Sequence, residues 1–195
     1  MCTRHKQRGI SLIELIMFIV IVSVALAGIL LVMDTVTKGS ADPLVHKQSL
    51  AIAESLLEEV ELMPFTYCDP DDPTAATATS PAECTVRIES MGLDAAFAPY
   101  QASDETRYST TAPFDNVNDY DAFSMSGAGG IKDITGAAIS AALDGYSASI
   151  NVSNTTLPDV AAGDALLIAV TVTGPDGVGV VVEGIRTRYA PRTLP

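Results

Sequence analysis

Apolar residues dominate one continuous stretch near the start of the chain. The nineteen residues from 15 to 33 contain no charged side chain, and a helix of about 20 residues is long enough to span a bilayer. A cleavable secretory signal is the main alternative, but its apolar region is usually shorter, about 7 to 15 residues, and ends in a small-residue cleavage site. No good A-x-A site follows residue 33. We therefore expect this segment to be retained as a transmembrane helix.

A weaker helical pattern follows the apolar stretch. Gly39 and Pro43 both disfavour a straight helix. Asp42 followed by Pro43 is typical of a helix start, with the aspartate as N-cap and the proline in the first turn. We therefore expect the long N-terminal helix to be kinked or interrupted near residues 39–43.

The segment after Pro43 is amphipathic and ends at Pro64. Its apolar and acidic side chains follow two separate stripes, at spacings of three and four residues. The apolar stripe contains Ile52, Leu56, Val60 and Met63, and the acidic stripe contains Glu54, Glu58 and Glu61. An acidic stripe is most often a solvated helix face, and the alternative is contact with basic residues of another chain.

The rest of the chain changes from loops to strands. Residues 66–145 are loop-rich, with residues 85–90 as a candidate short strand. From residue 146 onward, apolar and polar positions alternate, and GPDG gives a strong turn signal between two apolar runs. The pattern predicts a three-strand antiparallel unit whose apolar face packs on the amphipathic helix. The predicted fold class is α+β.

Charge is distributed unevenly along the chain. The net charge is −13, yet residues 1–9 contain Arg4, Lys6 and Arg8 and no acid. The positive-inside rule keeps this basic end in the cytoplasm and sends the acidic body across the membrane. An acidic body repels phosphate backbones, which argues against nucleic-acid binding.

Two cysteines lie in the body of the chain. Cys68 and Cys84 are separated by fifteen residues. If the body is exported, its compartment permits a disulfide between them, which would stabilise the fold by about 3 kcal/mol on the chain-entropy model. Two free thiols are the alternative.

The sequence offers little catalytic chemistry. The histidines are His5, in the basic end, and His46, near the membrane segment, and neither position suits a catalytic triad in the body. The cysteines have no nearby zinc-binding partner, and GAGG is not followed by a lysine that could bind phosphate. We expect no enzyme activity and no cofactor.

One acidic loop, DNVNDYD, offers oxygen ligands. Asp115, Asn118, Asp119 and Asp121 are candidates for calcium, which takes six to eight oxygens. The spacing lacks the order of an EF-hand loop, and a solvated turn with side-chain-to-backbone hydrogen bonds explains the same residues. We predict no metal site and keep these four residues as the calcium candidates.

The start of the apolar stretch has a specific arrangement. A basic leader ends in Gly9, Ile10 follows, and Glu14 comes five residues after the glycine. A charge within hydrocarbon costs about 3 kcal/mol or more, so the carboxylate needs an explanation. The arrangement resembles the class III signal of type IV prepilins. Two later segments are similar to minor prepilins of mannose-sensitive haemagglutinin (MSHA) pili. These segments are SADPLVHKQSLAIAESLLEEVELMPFTYCDPDD and FDNVNDYDAF.

The resemblance implies specific roles for these residues. The prepilin peptidase, a membrane aspartic protease, would cut between Gly9 and Ile10 and methylate the new Ile10 amine. Glu14 would then pair with the Ile10 amine of a neighbouring subunit in a filament, which offsets part of the desolvation cost. The implied partners are this peptidase, the inner membrane and other pilin subunits, which contact the chain through the N-terminal helix.

The resemblance also implies a pilin-like organisation and a location. The expected parts are a leader (1–9), a transmembrane and assembly helix (10–33), an amphipathic second half of the helix (34–64) and an extracytoplasmic β-rich head (65–195). The chain would cross the inner membrane once with its head in the periplasm, and then enter a cell-surface pilus. The predicted function is a minor MSHA-like pilin. The alternatives are a minor pseudopilin of a type II secretion system and a membrane-anchored binding domain that does not polymerise.

Overall fold

The computed structural model describes Gly9 and residues 11–93, 105–127 and 129–188, with the backbone alone at residues 37–42. The chain divides into two compact units, Met1–Leu44 and Val45–Pro195. The sheet and the main hydrophobic core belong to the second unit.

The first unit contains the apolar part of a long helix. Helix α1 runs from Leu12 to Glu61, and its segment Leu12–Val36 has a mean hydropathy of 3.2 with none of its residues buried. These 25 residues extend about 37 Å as a helix, which exceeds the hydrocarbon thickness of about 30 Å. By length and composition, this helix is able to cross a membrane once.

Of the kink or interruption expected near residues 39–43, the interruption is not observed. Helix α1 continues through this region with Pro43 inside it, and Asp42 is an interior helical residue instead of an N-cap. Proline has no N–H to bond the Gly39 carbonyl, and a proline inside a helix costs about 3 kcal/mol. Extending a helix from existing turns is easier than starting a new one, which explains why the helix continues.

From Val45 onward, one face of α1 forms part of the main core. Ala53, Leu56 and Val60 are buried there, against the apolar face of the sheet. Ile52 and Met63 are only half-buried and pack at the edge of this core. The predicted packing of an amphipathic helix on a C-terminal antiparallel sheet is therefore confirmed.

The sheet has four antiparallel strands in the order β1-β2-β3-β4. The strands are β1 (Ser124–Met125), β2 (Ser147–Asn154), β3 (Ala165–Thr173) and β4 (Gly179–Thr187). Strands β2 to β4 are the predicted three-strand unit. Strand β1 is an addition, because two residues are too few to show an alternating pattern. Alternate residues of the central strand β3 are buried, which places its apolar face in the core.

The other regular elements are short. Three 3₁₀ helices span Pro81–Glu83, Val117–Tyr120 and Ala141–Leu143. The strand expected at residues 85–90 is wrong, since Ile88 makes only an isolated bridge to Cys68. The N–H groups of residues 86 and 87 donate instead to the Asp72 carboxylate, so they are not used in a strand ladder.

Candidate functional site

The expected processing site lies just before helix α1. Gly9 is exposed, and a Cβ built on it meets no described atom within 4 Å. No described part of the fold therefore requires glycine at this position. A requirement for glycine would have to come from a partner that approaches the backbone closely, as a protease does. Ile10 and residues 1–8 lie outside the described residues.

Ser11 and Glu14 occupy the positions of a capping box at the start of α1. The Ser11 carbonyl accepts the N–H of Leu15 at 3.1 Å, which makes Ser11 the N-cap and Glu14 the third helical residue. In a capping box, the acidic side chain at this position accepts the N–H of the N-cap residue. A carboxylate in the first turn also interacts favourably with the helix dipole. This signal, Ser-x-x-Glu, is visible in the sequence and was missed there.

The same segment matches a known motif. Residues 4–30 match the prokaryotic N-terminal methylation motif. The match includes Gly9, Ile10 and Glu14 and most of the apolar part of α1. No curated protein and no solved structure matches the chain.

The motif supports a type IV pilin-like prepilin. It implies processing by the prepilin peptidase and assembly with other pilins in the membrane. Proteins with this motif are structural subunits and not enzymes. The apolar helix and the motif together fit anchoring in the inner membrane.

The surface of α1 before Val36 is apolar on every side. Phe18, Leu30 and Leu31 are 64%, 67% and 71% exposed, and most other large side chains of this segment are similarly open. Soluble proteins rarely expose contiguous apolar surface of this extent. The helix therefore needs apolar surroundings, such as lipid or neighbouring apolar helices.

A charged cluster ties the second part of α1 to the rest of the second unit. Arg107 donates from Nε and Nη2 to the two carboxylate oxygens of Glu59, both at 2.6 Å, and Tyr120 donates to Glu59 at 2.9 Å. Arg107 Nη1 also donates to the carbonyls of Lys132 and Asp133, at 3.2 and 3.0 Å. Although burial opposes it, the arginine holds the pKa of Glu59 below its usual value. This pairing could not be predicted from the sequence, because Glu59 and Arg107 are far apart along the chain.

A disulfide closes the loop that follows α1. Cys68 and Cys84 are joined, with their Cα atoms 5.4 Å apart. The buried carboxylate of Asp72 lies within this loop and accepts hydrogen bonds from Thr74 and from the backbone of residues 86–87. Although burial opposes it, these bonds hold the pKa of Asp72 well below its usual range. The loop thus keeps its shape through both a covalent link and a charged acceptor.

The acidic turn is buried, which corrects the expectation of a solvated turn. Asn118 and Asp119 are 5% and 2% exposed. Val117 and Tyr120, in the same 3₁₀ helix, are 0% and 1% exposed and belong to the main core. Because these two side chains anchor the turn in the core, the polar residues between them are buried as well.

The three aspartates among the calcium candidates do not all belong to one cluster. Asp115 and Asp119 have carboxylate oxygens within 4.8 Å of one another and of Glu105, a residue that sequence reasoning did not single out. Asp121 instead accepts the N–H of Val152 in β2, at 3.0 Å. Of the three aspartates among the candidates, the structure thus brings together two, with one different carboxylate.

Burial and mutual repulsion change the proton affinity of this acidic cluster. Burial, with a contribution from the Glu105 charge, raises the pKa of Asp119 to about 8. Burial, with contributions from Asp69 and Asp71, raises the pKa of Asp115 to about 7, against the opposing effect of Arg87. Bound protons can therefore neutralise Asp115 and Asp119 near neutral pH, and the geometry of the cluster does not by itself require a metal ion.

Proposed function

We propose that this chain is a minor subunit of a type IV, MSHA-like pilus. The prepilin peptidase cuts after Gly9 and methylates the amine of Ile10. The mature chain then enters, or primes, a surface fibre used for attachment. The observation that carries this proposal is the methylation motif at residues 4–30, which includes most of an apolar helix whose large side chains are exposed.

Assembly into a filament allows the two charges at the start of the mature helix to be paired. Cleavage after Gly9 removes the basic leader and creates an amine at Ile10, four residues before Glu14. Both charges are costly in an apolar bundle unless they are paired. Pairing Glu14 of one subunit with the Ile10 amine of the next stabilises both, and it also fixes the axial position of neighbouring helices.

Features of both units support a periplasmic head. The Cys68–Cys84 disulfide suits an oxidising compartment. The basic residues of the leader, at positions 4, 6 and 8, favour a cytoplasmic N-terminus. Export of the acidic head and retention of the apolar helix in the inner membrane give the starting state for assembly.

Sheared surface fibres provide the test of this function. Fibres are collected from wild-type cells and from cells without prepilin peptidase, and the chain is quantified in each fraction. We expect the chain in the wild-type fibres and only in the membranes of the mutant. Equal amounts in both fibre fractions would refute the proposal.

The same cells distinguish a pilus from a type II secretion pseudopilus. Deleting the gene for a minor pilin should reduce surface fibres and attachment and leave protein secretion intact. Loss of secretion with normal surface fibres would assign the chain to the pseudopilus instead.

A further inference from the structure

We propose that a cleft beside α1 binds an amphipathic helix of a different protein, through the apolar face of that helix and basic residues along its flank. This cleft, called here the α1 cleft, has a volume of about 540 Å³. Its apolar lining comes from α1 and from the segment between residues 131 and 143. The main apolar side chains are those of Ile52, Leu56, Ile131, Ile134, Ile139 and Leu143.

The length of the cleft suits a helix. Its α1 side extends from Gln48 to Glu59, which corresponds to about 16 Å along the helix axis. Helices that bind in grooves use anchors at positions i, i+3 or i+4 and i+7, which span about 10 Å. Three such anchors fit within the cleft.

The wall opposite α1 is held in place before any partner binds. Asp133 Oδ1 accepts the N–H groups of Thr135 and Ala137, at 2.8 and 3.0 Å, which closes a tight loop. On this wall, Ile134 and Ile139 are 63% and 58% exposed. A preformed apolar surface loses little conformational entropy on binding, and burying these two side chains removes apolar area from water.

The charged residues that line the cleft balance, with Glu59 and Asp133 against Arg107 and Lys132. The net charge of the second unit therefore decides which kind of partner is attracted. Residues 45–195 contain 21 acidic and 7 basic side chains, a net charge of −14. A second copy of the chain would bring the same charge, and anionic lipid headgroups would also be repelled. A partner with basic residues is attracted.

Acidic side chains also lie at the edge of the cleft. Glu54 and Glu58 are exposed, and each lies three residues beyond a cleft residue of α1, namely Ala51 and Ser55. Residues at this spacing are neighbours on a helix surface. The acidic stripe recognised in the sequence therefore runs beside the cleft, where it can pair with lysine or arginine on the flank of a bound helix.

A photocrosslinking amino acid tests the proposal in the full-length chain within its native cells. p-Benzoylphenylalanine replaces Ile134 in the cleft and, in a matched control, Ile185, which is 50% exposed on β4 and lies outside the cleft. We expect a strong adduct only from position 134, and mass spectrometry should locate it in a helix-forming segment of another protein with apolar residues on one face and lysine or arginine beside them.

Charge reversal gives a second readout. Glu54→Lys with Glu58→Lys should reduce the adduct from position 134 by about fivefold, because two flanking ion pairs become repulsive. A non-reducing peptide map that shows the Cys68–Cys84 link confirms that the variant is folded.

Several results would overturn the proposal. These are an adduct with a second copy of the chain, an adduct with lipid alone, no adduct, or equal adducts at positions 134 and 185. An adduct in a segment without basic residues, or one unchanged by charge reversal, would also overturn it. The proposal depends only on the second unit, so it can fail while the proposed function stands.

Discussion

At the scale of single residues, Glu14 combines a position at the start of α1 with a proposed role in assembly. Within its own chain, it stands at the capping-box position next to the free N–H groups at the start of α1. In a fibre, the proposed partner is the Ile10 amine of a neighbouring subunit. On this proposal, capping lowers the cost of a carboxylate near the membrane before assembly, and pairing with the amine lowers it afterwards.

Substitution of Glu14 separates these two roles. Gln keeps an oxygen that can cap the helix and removes the charge, whereas Ala removes both. We expect Glu14→Gln to insert into the membrane and to be cleaved normally, but to enter sheared fibres about tenfold less, since a hydrogen bond to a charged group is worth about 1.5 kcal/mol or more. Incorporation of Glu14→Gln at the wild-type level would show that the charge has no role in assembly.

The buried carboxylate of Asp119 predicts a pH dependence of stability. Its pKa is raised to about 8 in the fold, from about 3.9 in the unfolded chain. The folded chain therefore binds more protons than the unfolded chain between these values, and its stability falls as the pH rises through this window. Glu105 and Asp115 add repulsion once they are ionised.

The measurement is the melting temperature of the chain from pH 5 to pH 9. We expect it to decrease with rising pH in the wild type and to decrease less in Asp119→Asn, which keeps an oxygen acceptor for the N–H groups of Asp115 and Asn116. The same slope in both proteins would rule out this carboxylate as the cause.

At the scale of elements, Arg107 connects α1 to the segment that contains Lys132 and Asp133. Its side chain is 5% exposed, and it bonds both oxygens of Glu59 and two backbone carbonyls. Lysine keeps the charge but cannot reproduce the planar, bidentate geometry.

We therefore expect Arg107→Lys to lower the free energy of unfolding by about 2 kcal/mol and Arg107→Leu by about 3 kcal/mol or more, because Leu leaves Glu59 without its charged partner. Denaturant titration measures both values. The control is the double variant Glu59→Gln/Arg107→Leu. It should be less destabilising than the sum of the losses measured for Glu59→Gln alone and Arg107→Leu alone. Strict additivity would show that the two residues are not coupled.

Gly130 sets how closely two segments of the cleft wall approach. Its φ is +49°, and a Cβ built on it would lie 1.9 Å from the Leu143 carbonyl oxygen. Gly163 also has a positive φ, of +87°, but a Cβ there meets nothing within 4 Å among the described residues. Gly130→Ala should therefore destabilise the chain by about 2 kcal/mol more than Gly163→Ala. Thermal unfolding compares the two variants, and equal losses would contradict the close approach.

Elements with a long repeating pattern were predictable, and those set by tertiary contacts were not. Strands β2 to β4 and the amphipathic part of α1 show their periods over eight residues or more. The strand expected at residues 85–90 does not form, because the Asp72 carboxylate accepts hydrogen bonds from the N–H groups of residues 86 and 87. The turn at Asn118 looked polar and solvated, yet two core side chains beside it bury it.

At the scale of the whole molecule, the chain combines two units that differ in how their apolar side chains are covered. The first unit has an apolar helix with no core of its own, and the second has a core between α1 and the sheet. The apolar run and the alternating strands are separate in the chain, which is why the sequence indicates both an apolar helix and an antiparallel sheet. The sequence could not predict the pairing of Glu59 with Arg107 or the grouping of Glu105 with Asp115 and Asp119, since both depend on distant segments meeting.

The intact mass of the mature chain tests processing most directly. The chain is purified from cells with active prepilin peptidase, together with the variant Gly9→Val as a control. We predict the mass of residues 10–195 plus one methyl group, located on Ile10 by fragmentation, and the uncut mass for Gly9→Val. An uncut wild-type chain, or normal cleavage of Gly9→Val, would contradict the assignment of this chain as a processed pilin subunit.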